Sequence, residues 1–376
     1  MALRAFQTVV ILVSLLALGV FAASAARVLQ TQRAPDPIER SVLEVAARQA
    51  RHQPIYRDPG NPNAPALLPG FPIAVAALAA DPSPGLLEAR VTALGAALFA
   101  AILVALIVQL ECGSWTLAIA AACFALFAQG LLAMPAGVAR PQSLMVALVL
   151  LGLLTIRHLP GILGALAGAV LFALATFVEP QATWFAGGAA VSMALERNRR
   201  GAVFALATGV LIAAGYAWMS YEFGPWFNWS AFDRPLDTLH FDAVLPLREL
   251  FDPLLRTFGV WTIAALLSLS METEPWSGRV GLWMCVGVAA LLGALAATQS
   301  RLFGPEALVP GIVALSLMGP ILAQRVTRHL SAWRDPDRAG GENVVCAATL
   351  FQFAAVLAAA PVDRWLPGVI AAWPFR

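Results

Sequence analysis

Residues 27–70 read RVLQTQRAPDPIERSVLEVAARQARHQPIYRDPGNPNAPALLPG, a polar stretch set between apolar ones, and its neighbours decide the fold. Before it, residues 5–25 are almost wholly apolar. That is about 21 residues, and at about 1.5 Å per residue such a helix crosses the roughly 30 Å hydrocarbon layer of a bilayer. After it come apolar segments near 66–80, 91–110, 115–134, 141–156, 161–178, 181–195 and 201–220, a polar interval near 221–257, and further segments near 258–271, 279–298, 306–324 and 343–360.

Of the 376 residues 60% are hydrophobic and 12% charged, whereas a soluble domain carries about 25% charged residues. The expected fold is therefore all-α: a polytopic transmembrane helical bundle, one membrane domain over 1–376. Its parts are a first membrane helix (5–25), a first extracytoplasmic loop (27–66), a helical core (66–220), a second extracytoplasmic loop (221–257), C-terminal helices (258–360) and an interfacial tail (361–376). Ala23, Ser24, Ala25 and Ala26 resemble a signal-peptidase site, but the preceding run is long for a cleaved signal, which favours a retained helix.

The net charge of +2 is small and scattered, which argues against a nucleic-acid partner. All 24 basic residues are arginine, which excludes Schiff-base lysine chemistry and a phosphate-binding P-loop lysine. Cys112, Cys123, Cys285 and Cys346 show no CxxC spacing, and the four histidines lie far apart. No metal site is assigned.

Charge sets the orientation. The Arg197, Arg199, Arg200 cluster and the one with Arg325, Arg328, Arg334 and Arg338 read as cytoplasmic by the positive-inside rule. From a cytoplasmic N-terminus to Arg200 the parity closes only if one short segment dips without crossing, either 66–80 or 181–195. Both long loops then share the opposite side, which in a bacterial inner membrane is the periplasm.

Within the first loop Ile38, Val42, Val45 and Ala46 recur at helical spacing, with Arg40, Glu44, Arg48 and Arg51 on the other side. The pattern is an amphipathic helix suited to a membrane surface. Asp36 fits its N-cap, Pro37 its first position and Glu39 the third residue of a capping box. Two readings of Glu39 stay open: a capping carboxylate, or a general base at the mouth of a membrane cavity.

The order IERSVLEVAARQARHQPIYRDP, a proline-rich link and LLPGFPIAVAALAA resembles the first loop of C-type membrane glycosyltransferases. Glu39 falls at that family's acidic position, Gln53-Pro54-Ile55-Tyr56 at its second element and Leu68 to Pro72 at its third. Arg90, the Ala139-Arg140-Pro141-Gln142-Ser143-Leu144 element and the stretch from Thr176 to Ala182 are similar to later elements. Three positions depart: Ile38 and Gln142 replace aspartates, and Glu179 or Pro180 replaces a lysine.

The resemblance implies transfer of a sugar from a polyprenyl-phosphate donor to an extracytoplasmic glycan or lipid acceptor. Glu39 would be the base and Asp36 its orienter, while Arg57, Arg140 and Arg301 would hold the donor phosphate. Tyr56, Trp229, Asp237 and His240 are candidate substrate contacts. No cofactor is assigned, a divalent cation is left open, and protein partners are unspecified. The alternative is a non-catalytic scaffold or assembly subunit built on the same fold.

Overall fold

The computed structural model describes residues 2–30, 35–58, 67–79, 84–130, 137–196, 199–238, 278–299, 305–332 and 345–354, with Asp81, Gly259 and Ile263 as isolated positions. Among them every regular element is helical. In chain order these are α1 (Ala2–Gln30), α2 (Pro37–Ala50), α3 (Gly70–Leu78), α4 (Leu86–Cys112), α5 (Trp115–Ala128), α6 (Pro141–His158), α7 (Gly161–Val178), α8 (Ala182–Leu195) and α9 (Arg199–Phe223). Short turns α10 (Pro225–Asn228), a π turn (Trp229–Asp233) and α11 (Arg234–Asp237) follow. The last elements are α12 (Gly278–Thr298), a 3-10 turn (Pro305–Leu308), α13 (Val309–Ala332) and α14 (Val345–Ala354).

Seven of the described helices are long and apolar enough to cross a membrane, namely α1, α4, α6, α7, α9, α12 and the apolar run 306–326 that ends in α13. The chain is in this sense a multi-pass membrane protein. α3 has nine residues and at about 1.5 Å per residue reaches less than half of a bilayer's hydrocarbon. Of the two segments expected to dip, α3 is the shorter; α8, with 14 residues, also falls short of a full span but packs along α12 and α9.

Polar contacts identify the two ends of the bundle. At one end Arg157 of α6 donates to Glu111 of α4 at 2.8 Å. Arg200 of α9 donates to the carbonyls of Ile156 and Leu159, and Gln324 of α13 to that of Cys112. At the other end α2 and α3 pack on α4, and α3 touches α7. The start of the second loop meets the first there: Tyr56 packs edge-on against Phe227, with Val45, Ile55, Leu68 and Met219 around them. Arg200 and the described parts of the two long loops therefore sit at opposite ends.

Alanine and glycine let the helices approach closely, as lipid-soluble bundles require. A Cβ on Gly188 of α8 would lie 2.7 Å from the Cys285 carbonyl oxygen of α12, and one on Gly70 2.6 Å from that of Phe177. Around this interior α1 and α9 are peripheral, exposing Leu12, Leu15, Leu16, Leu206 and Val210. By contrast residues 306–323 are buried throughout.

In α2 the apolar face of Val42, Val45 and Ala46 is buried, against α3 and α4. One assignment to its polar face differs: Arg48 is buried. His52 takes a left-handed backbone (φ 54°) after the helix, the chain doubles back, and Arg48 donates to the Ile55 carbonyl at 3.0 Å while also pairing with Glu44.

Candidate functional site

The first turn of α2 carries two carboxylates, and each is held by an arginine from the start of a long helix. Asp36 has an extended backbone and its Oδ1 accepts from the N–H groups of Ile38 and Glu39, both at 2.9 Å, while the Glu39 side chain reaches back to the Asp36 N–H. This is the capping box expected from the Asp-Pro-Ile-Glu order. It fixes the two side chains relative to each other before any tertiary contact is made.

Glu39 is 2% exposed. Its Oε1 accepts from Arg90 Nε at 2.9 Å and from the Ala139 N–H at 3.1 Å, and its Oε2 from the second Arg90 nitrogen at 3.1 Å. Arg90, near the start of α4, also donates to the Val28 carbonyl at the end of α1. One carboxylate thereby ties together α1, α2, α4 and the strand of chain leading into α6. Its oxygens are saturated by donors, which is how a buried charge is tolerated.

Asp36 differs in access. Arg140, the N-cap residue of α6, grips it with two parallel hydrogen bonds of 3.0 and 2.8 Å, yet 39% of the Asp36 side chain stays exposed. Burial acts to raise its pKa, but hydrogen bonds from Arg140 and from the Glu39 and Ile38 N–H groups, with the Arg140 charge, outweigh it and hold the carboxyl below its ordinary value. Arg140 sits there because its extended backbone precedes Pro141, which starts α6 and fixes the direction of that arm.

Behind this pair lies a second, dry group. Arg140 Nε has no hydrogen-bond partner among the described residues and stands 3.9 Å from Glu306 Oε1. Glu306 is buried, as is Glu179, the residue that ends α7. One residue beyond that span, Glu179 has its pKa pushed up to about 8, first by burial and then by repulsion from Glu306. Its Oε1, both polar side-chain atoms of Gln181 and Oε1 of Gln142 are buried without a hydrogen-bond partner among the described residues.

The remaining candidates disperse. Arg57 is half-exposed and only 3.9 Å from Glu44, well placed to meet an anion but away from Asp36's pair of bonds. Tyr56 is buried, its hydroxyl donating to the Leu67 carbonyl at 2.9 Å, and burial lifts its pKa far above the usual phenol range. That tyrosine braces the loop. Trp229 carries the Arg234 guanidinium 5.3 Å above its ring, and Asp237 is exposed. Arg301, His240 and the 361–376 tail lie outside the described residues. Among those described, no three His, Cys, Asp or Glu side chains converge as a metal site, and the four cysteines are buried and not in disulfides.

Glu306 escaped the sequence reading. Its signal was a carboxylate one residue after Pro305 at the head of an apolar run, the kind of placement that needs a cation across the bundle. The Ala139 N–H had no signal, since a backbone donor is positioned by the fold alone. No family model, curated protein or solved structure matches this chain.

Proposed function

We propose that the chain is a membrane glycosyltransferase that moves a sugar from a polyprenyl-phosphate donor to an acceptor hydroxyl at the extracytoplasmic end of the bundle. The observation that supports it is the half-exposed Asp36 carboxylate, fixed at the head of α2 by Arg140 and by the cap, in a wall built by Glu39 and Arg90. Such a carboxylate is rigid, ionised and open on one side, as a base for a hydroxyl nucleophile must be. The acceptor oxygen attacks the anomeric carbon, the bond to the phosphate breaks, and the hydroxyl proton passes to the carboxylate.

In this reading Asp36 takes the base role that the sequence pattern gave to Glu39, because Glu39 has no face open to a substrate. Glu39 becomes the positioning residue. Arg57, half-exposed in the first loop, and Arg301 are the candidates for the leaving phosphate, while Arg140 is engaged with Asp36. Trp229 and Asp237, on turns at the same end, remain candidates for the sugar or acceptor, with His240. The exposed apolar faces of α1 and α9 fit membrane lipids, and the opposite, arginine-bearing end fits the cytoplasmic side of a bacterial inner membrane.

One observation favours the second reading, a non-catalytic scaffold: the donors on Glu39 leave it as a structural tie, a role that needs no reaction. The two readings separate in a deletion strain rescued at matched protein levels with the wild type, Asp36→Asn or Arg57→Ala, with surface glycans and glycolipids profiled by mass spectrometry. Transfer requires that a sugar be lost on deletion, return with the wild type and stay at least about tenfold reduced with Asp36→Asn, since a positioned base contributes roughly 10²–10⁴-fold. Full rescue by Asp36→Asn removes the base assignment, and an unchanged profile on deletion favours the scaffold.

A further inference from the structure

The chain that leaves α9 does not run straight out into water. α9 has 25 residues, about 37 Å at about 1.5 Å per residue, which is longer than the roughly 30 Å apolar layer it can cross. With Arg199 and Arg200 at the boundary of one end, Tyr216 lies about 23 Å along the axis from Gly201 and so still within that layer. At Gly224 the chain reverses, in a backbone (φ 76°) that glycine adopts without strain. Phe227 then packs on Phe223 and Tyr216, with ring centroids 6.1 and 6.0 Å apart, and Phe232 packs on Tyr216 at 5.1 Å. The Phe232 ring is therefore level with that of Tyr216, about two turns before the end of α9.

This returning segment, made of α10, the π turn and α11, has two faces. Phe227 and Ser230 are buried, Phe227 lying edge-on against Tyr56 of the first loop. Trp226, Phe232 and Leu236 face outward, 39%, 44% and 64% exposed. Gly209 and Ala213, seven and three residues before Tyr216 and so on the same side of α9, are exposed as well. The outward rings thus continue a side of α9 that is open along its apolar length. Asp233, Arg234 and Asp237 limit how deep the segment can sit, because charged side chains are costly in hydrocarbon. Arg234 lies 5.3 Å over the Trp229 ring. Aromatic rings and charges on one short segment, at the level where a span leaves the apolar layer, suit the membrane interface. A sugar-binding platform would instead hold its rings in water, beyond the end of α9.

We propose that residues 225–237 form an interfacial foot whose partner is the bilayer itself: Trp226, Phe232 and Leu236 enter the edge of the hydrocarbon in the leaflet at this end, while Asp233, Arg234 and Asp237 stay among the lipid head groups. Because Phe227 packs on Tyr56 from the other face, the foot joins the first loop to the membrane surface. The inference needs α9 to span the bilayer and does not rest on the transfer reading.

The test is power-saturation electron paramagnetic resonance of the full chain in lipid nanodiscs, with a nitroxide on one introduced cysteine. Collisions are measured with oxygen, which concentrates in hydrocarbon, and with a neutral nickel chelate, which stays in water. Val210→Cys, on the exposed side of α9, gives the lipid reference, and Gln53→Cys, exposed in the first loop, gives the water reference. Phe232→Cys and Leu236→Cys should be relaxed more by oxygen than by nickel, as at Val210, with the ratio reversed at Gln53. Leu236→Cys keeps the test decisive if Phe232→Cys loosens the contact with Tyr216. A preference for nickel at both positions would mean that the face stands in water, and shielding from both reagents would mean that protein covers it, a second copy of the chain included. Either result would overturn the proposal.

Discussion

Asp36 and Glu39 are one helical turn apart and each meets an arginine, but their environments give them different work. Glu39 and Arg90 are buried together, with side chains 3% and 6% exposed. Removing one member leaves the other charge stranded, which costs about 3–5 kcal/mol, whereas replacing both with apolar groups of similar size is often neutral. Arg90→Met alone should therefore lower thermal stability strongly, and Glu39→Leu combined with Arg90→Met should recover most of it. Purely additive losses in that cycle would show that the pair is not coupled. Asp36 behaves otherwise: its lowered pKa places its stabilising effect above the ordinary 3.8, to be lost only as pH falls below that. Between pH 5 and pH 8 it therefore adds no slope.

At the scale of elements, local chemistry was readable and tertiary reach was not. Asp36, Pro37 and Glu39 announce the start of α2 because capping is settled within four residues. The burial of Val42, Val45 and Ala46 follows from their period. Arg48 sits on the polar side of the same wheel, yet the turn at His52 brings the Ile55 carbonyl over it, and no periodicity encodes that fold-back. The partner of Glu39 lies 51 residues away, a distance at which one sequence carries no spacing signal. Helix contacts are also specific at single glycines. A Cβ on Gly188 meets the Cys285 carbonyl, while one on Gly187 meets nothing within 4 Å. Gly188→Ala should cost about 1–3 kcal/mol by forcing α8 from α12. Gly187→Ala should be neutral or gain up to about 1 kcal/mol in helix propensity. Equal melting temperatures for the two variants would mean that α8 and α12 do not pack as described.

For the whole molecule, the low charge and the long apolar runs made the helical bundle evident, because a helix satisfies its own backbone in a bilayer and barrel strands would be short and alternating. Which side each end faces depends on the count of crossings, and α3, at nine residues, is the shortest of the segments in question. The Asp36 cluster then lies at the end away from Arg200. This polarity underlies the proposed transfer, and it is open to direct measurement. Gln53 is exposed in the first loop and Glu196 is exposed at the arginine end, while the native cysteines are buried. Single cysteines at these two positions, treated in intact cells with a membrane-impermeant maleimide, report the side of each end. Gln53→Cys should label in intact cells and Glu196→Cys only after the membrane is permeabilised. Labelling of both from the same side would contradict the arrangement, and with it the placement of Asp36 at an extracytoplasmic mouth.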